Sequence, residues 1–130
     1  MAKEPKPPPL AEGQLEIMNI VWDRGEVTVG EAWKILSERR PVARNTVQTM
    51  ITRLAEKGWL RARDDGQAAR YSAAQPRGRA MGSMVSRIVE TAFRGSAEGL
   101  VMALVEGRGV SKEEADRIRA ILKKAEEGRP

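Results

Sequence analysis

Residues 44–60 read RNTVQTMITRLAEKGWL, and this stretch decides the fold. On a helix turning about 100° per residue, Val47, Met50, Ile51 and Leu54 gather on one side. That i, i+3, i+4, i+7 set marks an amphipathic helix with one face to bury. Asn45, Gln48, Thr49 and Thr52 fall on the opposite side, flanked by Thr46 and Arg53, with Arg44 at the start. The spacing predicts a helix over 44–57, ended by Lys57-Gly58, with an apolar restart at Trp59-Leu60.

Upstream, Leu15, Met18, Val21 and Trp22 predict a first helix over 11–23, stopped by Gly25. Val27 can supply a short strand. Thr28 is placed to cap a second helix, and Glu31 three residues later completes a capping box. That helix buries Val29, Ala32, Trp33 and Leu36, and Pro41 lies in the break before the third. Downstream, two short candidate strands, 60–63 and 69–73, flank Asp64-Asp65-Gly66-Gln67. An Asp-Gly between such runs is a hairpin signal. Helix, helix, helix, hairpin is the order of a winged helix-turn-helix, so the expected fold is mainly α with a small β-hairpin wing.

The division of the chain follows from composition. Pro5, Pro7, Pro8 and Pro9 predict an extended, disordered arm over residues 1–9. The winged domain is expected over 10–75, and Pro76 marks the boundary of a helical dimerisation region over 76–130. In that region Met81, Met84, Val85, Ile88, Val89 and Ala92 form a fourth stripe. Ala97, Leu100, Val101 and Leu104 form a fifth, and Ala115, Ile118, Leu122 and Ala125 a sixth behind the Ser111–Glu114 capping box. About 50 residues are too few to bury a self-sufficient core. Pairing with a second copy is therefore expected, through Met84, Val85, Ile88, Leu100, Val101, Leu104, Ile118 and Leu122. The Gly78/Gly82 and Gly95/Gly99 spacings are read as turn and helix-end glycines.

Composition also excludes functions. The chain has no cysteine and no histidine, which removes disulfides, thiol or imidazole catalysis and Cys/His metal sites. No Gly-rich loop ends in Gly-Lys-Ser/Thr, and no acidic cluster has calcium-loop spacing. No enzyme, metal or other cofactor is expected. No apolar run approaches the roughly 20 residues of a membrane span, and the start, MAKEPKPPPL, lacks the apolar core of a secretory signal. The expected address is the cytoplasm, with no membrane partner.

The formal net charge is +5, and its location is informative. Between Arg39 and Arg70 there are eight basic residues (39, 40, 44, 53, 57, 61, 63 and 70) and three acidic ones (56, 64 and 65). A basic segment carrying a short polar helix face suits double-stranded DNA. Asn45 and Gln48 can pair bidentately with adenine, and Thr49 can meet a thymine methyl. Arg44 and Arg53 suit phosphates, and Arg61, Arg63 and Arg70 read as wing contacts to the backbone or minor groove. An Asn/Gln/Thr face is also what a solvated helix presents. Its neighbourhood, with a capped helix before it and a basic hairpin after it, favours recognition. Trp22, Trp33, Trp59 and Tyr71 read as core aromatics rather than stacking platforms. Two other readings fit the same residues. One is a winged-helix module whose third helix meets a protein, the other a regulator gated by a small ligand between the winged domain and the dimer helices.

LAEGQLEIMNIVWDRGEVTVGEAWKIL, RNTVQTMITRLAEKGWLRARDDGQAARYSA and GLVMALVEGRGVSKEEADRIRAILKK together resemble the penicillinase-repressor family, which includes beta-lactamase, methicillin-resistance and copper-responsive repressors. The resemblance runs from Leu10 to Lys124 and is most specific over Thr46–Leu60. It implies a homodimeric, sequence-specific transcriptional repressor whose winged domains bind a palindromic operator, with resistance or stress-response genes under control. Two departures matter. The copper-responsive branch uses C-terminal cysteines, which this chain lacks. The antibiotic branch is released when a sensor protease triggers cleavage of an Asn-Phe bond in the fifth helix, and here Ala103-Leu104 stands in that place.

Overall fold

The computed structural model describes residues 10–128, so the arm expected over 1–9 lies outside the described residues. The elements run α1 (Glu12–Arg24), β1 (Glu26–Val27), α2 (Val29–Arg39), α3 (Arg44–Glu56), β2 (Leu60–Asp64), β3 (Ala69–Ala73), α4 (Arg77–Ala92), α5 (Ala97–Gly107) and α6 (Lys112–Glu127). The three strands form one antiparallel sheet in the order β1-β3-β2, with Glu26 opposite Ser72 and Arg63 opposite Arg70.

Local chemistry accounts for these boundaries. The Thr28 hydroxyl accepts from the Glu31 amide at 3.1 Å, and the Glu31 carboxylate accepts from the Thr28 amide at 2.8 Å, closing the box that starts α2. α3 stops at Glu56, with Lys57 as its cap and Gly58 at φ +91°, a left-handed backbone that glycine adopts without a Cβ penalty. The hairpin loop is four residues long, 65–68, rather than a tight two-residue turn. The Asp65 amide donates to the Ala68 carbonyl, and the Asp65 carboxylate accepts from the Gln67 and Ala68 amides.

The described residues divide into two compact units, the first running to Met84 and the second starting at Val85. In the first, Ile17, Met18, Val21, Val27, Leu36, Val47, Ile51 and Leu54 are fully buried. Each contributes roughly 1.5–3 kcal/mol by leaving water. Ile17 and Ile20 join this core although the predicted α1 stripe omits them, because α1 packs against α2, α3, β1 and β3 and buries a wide face. Trp59 is buried, while Trp22, Trp33 and Tyr71 are half-buried around the core. The indole N–H groups of Trp22 and Trp33 donate to the Gln75 and Val42 carbonyls, each at 2.9 Å. These bonds pin the chain after the hairpin and the turn between α2 and α3.

The division falls within α4 rather than at Pro76. The Pro76 carbonyl accepts the Ala80 amide at 3.1 Å, so Pro76 stands just before α4 and its carbonyl takes the helix's first hydrogen bond. Ala80 is buried in the first unit's core. Gly78 lies at the start of α4 and Gly82 in its interior, whereas Gly95 sits in the turn after α4 and Gly99 in the first turn of α5.

The second unit has no buried residue in α5 or α6. Beyond the end of α4 at Ala92, Arg94 and Gly95 are left-handed, and Ser96 caps α5 by accepting the Gly99 amide. Ser111 caps α6 by accepting the Glu114 amide. Among the described residues, no helix is long and apolar enough to cross a membrane, and no cluster of acidic residues is placed to hold a metal ion.

Candidate nucleic-acid interface

Burial of Val47, Ile51 and Leu54 fixes the roll of α3, so Asn45, Thr46, Gln48, Thr49 and Thr52 all point outward and are exposed. An open depression along the helix is lined by Asn45, Gln48, Thr49, Thr52, Arg53 and Glu56. The expected reading face is thus one contiguous surface. Arg44 and Arg53 are exposed at its two ends, and among the described residues neither lies within 4 Å of a carboxylate.

A second depression joins α2, α3 and the wing, lined by Thr28, Val29, Gly30, Arg44, Gln48, Ala68, Ala69 and Tyr71. The Arg44 guanidinium lies over the start of α2, where a Cβ added to Gly30 would meet its Nη2 at 3.4 Å. Glycine leaves room for that approach. Thr28 is legible in the sequence as a cap, but the part that the first residues of α2 play in this surface is not. The signal is nonetheless there, since a helix start presents first-turn amides that have no intrahelical acceptor, and the positive end of the dipole, to an anion.

The three wing arginines differ. Arg63 grips Glu26 with two hydrogen bonds, Nη2 to Oε1 at 2.7 Å and Nε to Oε2 at 3.1 Å. Arg70 donates from Nε to the Asp65 carboxylate, and its Nη1 lies 3.6 Å from Glu31. Among the described residues, Arg61 has no carboxylate within 4 Å. The bond from Arg63 holds the Glu26 carboxyl below the usual range. Arg70 and the Ala68 and Gln67 amides lower that of Asp65 well below its usual value. The Glu31 carboxyl is lowered chiefly by the Thr28 amide.

The expected dimerisation residues separate by exposure. Val85, Ile88, Val101, Leu104 and Leu122 are exposed, whereas Met84, Leu100 and Ile118 are half-buried. Met102, Val105 and Ile121 lie outside the expected set, and they are 54%, 54% and 66% exposed. For Met102 and Val105 the signal is the unbroken apolar run 100–105, which makes α5 apolar on every side rather than along one stripe; Ile121 lies in α6 beside Leu122. Ala103 and Leu104 are both exposed on α5.

The family described as Penicillinase repressor matches residues 10–124. The transcriptional regulator BlaI of Mycobacterium tuberculosis is 34% identical over 120 residues, covering 89% of this chain and 86% of that protein. The solution structure of monomeric Bacillus licheniformis BlaI in complex with the blaP half-operator is 29% identical, with a TM-score of 0.50, covering 56% of this chain and 89% of that one. A point mutant of MarR from E. coli, complexed with operator DNA, covers 89% of this chain and 75% of its own at a TM-score of 0.51. Its 18% identity establishes likeness of fold alone.

Proposed function

The chain belongs to the penicillinase-repressor family, and from that premise we propose that it is a cytoplasmic repressor that binds a palindromic operator as a homodimer. The operator of a resistance operon is the target that the names of its relatives favour. The family is one of DNA-binding transcriptional repressors and not of enzymes. The observation that carries the reading is the exposed Asn45, Gln48, Thr49 and Thr52 surface of α3, with Arg44 and Arg53 beside it, which among the described residues have no carboxylate partner. A rigid helix with short amide and hydroxyl side chains can enter a major groove and exchange hydrogen bonds with base edges.

In this reading Gln48 and Asn45 pair with adenine, and Thr49 and Thr52 contact neighbouring bases. Thr46, Arg44 and Arg53 meet the backbone, with the start of α2 beside Arg44 offering amides to a phosphate. The homodimer is supported by the apolar residues left uncovered in the second unit. A winged domain alone covers one half-site, and two copies on a palindrome match the two-fold symmetry of the DNA.

Genome-wide footprinting of the protein would supply its sites, and titration of one such duplex at several salt concentrations tests the mechanism. A dimer touching about eight phosphates gives a log–log slope near −7. A flat slope would overturn DNA binding by this surface.

A further inference from the structure

Across the sheet, Glu26, Ser72 and Arg61 stand in one row, and Arg70 and Arg63 in the row two residues along, past the intervening row of Val27, Tyr71 and Ala62; alternation returns that second row to the same face. Residues directly opposite one another in an antiparallel sheet project to the same side, so all three wing arginines share a face with Glu26. The other face carries Leu60, Val27 and Tyr71. Leu60 and Val27 are buried there, and Tyr71 and Ala69 line the depression beside α3. Arg63 and Arg70 therefore stand on the side of the sheet turned away from the groove that α3 and the start of α2 enclose.

They are also neutralised where they stand. Arg63 is held in a two-bond fork by Glu26, and fork-to-carboxylate pairing fixes geometry as well as charge. Arg70 is shared between Asp65 in the hairpin loop and Glu31 in the first turn of α2. The Glu31 oxygen that faces Arg70 is the one that accepts the Thr28 amide, so a single carboxylate caps α2 and holds the wing. The chain Asp65–Arg70–Glu31–Thr28 links the hairpin loop to the helix that precedes α3.

We propose that Glu26, Glu31 and Asp65 are positioning residues for DNA binding: they keep Arg63 and Arg70 in ion pairs that set the wing against the start of α2, and these two arginines do not contact phosphate. This rests on the DNA-binding reading above and reassigns Arg63 and Arg70, which the sequence alone presents as wing contacts to DNA. The wing then acts through its posture, and release of counterions on binding falls to arginines that have no carboxylate partner among the described residues.

The test is the salt dependence of binding by the full-length protein to one footprinted duplex, for wild type, Arg63→Ala, Arg70→Ala and Arg53→Ala. A residue on a phosphate contributes about 0.9 to the slope for each copy bound. Arg63→Ala and Arg70→Ala are expected to keep the wild-type slope while affinity falls about two- to five-fold, the range an exposed ion pair supports. Exchanging the pair, with Glu26→Arg and Arg63→Glu together, is expected to restore affinity. A slope reduced by one or more in Arg63→Ala or Arg70→Ala would overturn the proposal while leaving DNA binding intact. So would failure of the exchanged pair to recover affinity in a protein that still melts as wild type does. A wild-type slope of zero would remove both this proposal and the reading beneath it.

Discussion

The two halves of this molecule are built from similar helices and end in opposite states. From Leu10 to Met84, three helices close over a small sheet, and side chains such as Ile17, Leu36 and Ile51 lose all contact with solvent. From Val85 onward the helices are as well capped, yet every large hydrophobic residue that is exposed among the described residues lies there. Good local signals make a helix, but only packing partners make a core. The first unit covers its apolar faces from within, whereas among the described residues α5 and α6 bury none of theirs. An apolar helix such as α5 needs cover on more than one side, which a second copy would provide.

The contrast can be broken most forcefully at its buried side. Ile51→Ala, in the first unit's core, is expected to lower stability by roughly 2–5 kcal/mol, read by denaturant unfolding. Leu122→Ala, at a position 57% exposed, should leave unfolding of the first unit unchanged and weaken self-association instead. Equal losses of stability at both sites would erase the distinction between the units.

Charging the uncovered helix comes next. Val101→Glu with Val105→Glu should yield a monomer by sedimentation. It should also lower affinity for a palindromic duplex about 100-fold, as two linked half-sites become independent. Affinity for an isolated half-site should hold. On the reading side, Gln48→Ala should cost roughly 1–3 kcal/mol on the preferred sequence and flatten base preference at one position per half-site. Arg53→Ala should weaken all sequences about equally. Smaller again, Thr28→Ala removes the α2 cap and should cost about 1 kcal/mol, seen as a lower melting temperature.

The least effect concerns pH. Glu26, Glu31 and Asp65 have carboxyl pKa values lowered by their partners. A lowered folded-state pKa stabilises the fold above the unfolded value, near 4.5 for Glu and 3.8 for Asp, and that stabilisation disappears as pH falls through the folded value. Melting temperature should therefore fall on acidification below about pH 4.5. Glu26→Gln should shrink that fall slightly.

Much of the first unit is legible in its residues. Val47, Ile51 and Leu54 set the roll of α3 by spacing alone, and the Thr28/Glu31 box names the start of α2 without any tertiary contact. The strand limits of 69–73 follow from the turn residues beside them. Other features depend on what lies across space. Ile17 and Ile20 are buried because α1 is surrounded, which no single-helix stripe reveals. Pro76 reads as a boundary, yet a proline suits a helix start, and Ala80 carries α4 into the core. Arg61, Arg63 and Arg70 read as one basic set. Alternation along a strand tells which side each occupies, but not that Glu26 waits two strands away to pair with Arg63. Met102 and Val105 escape a search for one stripe, because α5 has no polar side over 100–105.

The central claim is that one unit is complete and the other requires a second copy. Light scattering of the full-length protein across a hundredfold range of micromolar concentrations tests it most directly. The expected result is a molar mass twice that of the 14.4 kDa chain, reduced to one chain by Val101→Glu with Val105→Glu. A mass of one chain throughout, with the second unit still folded, would contradict it.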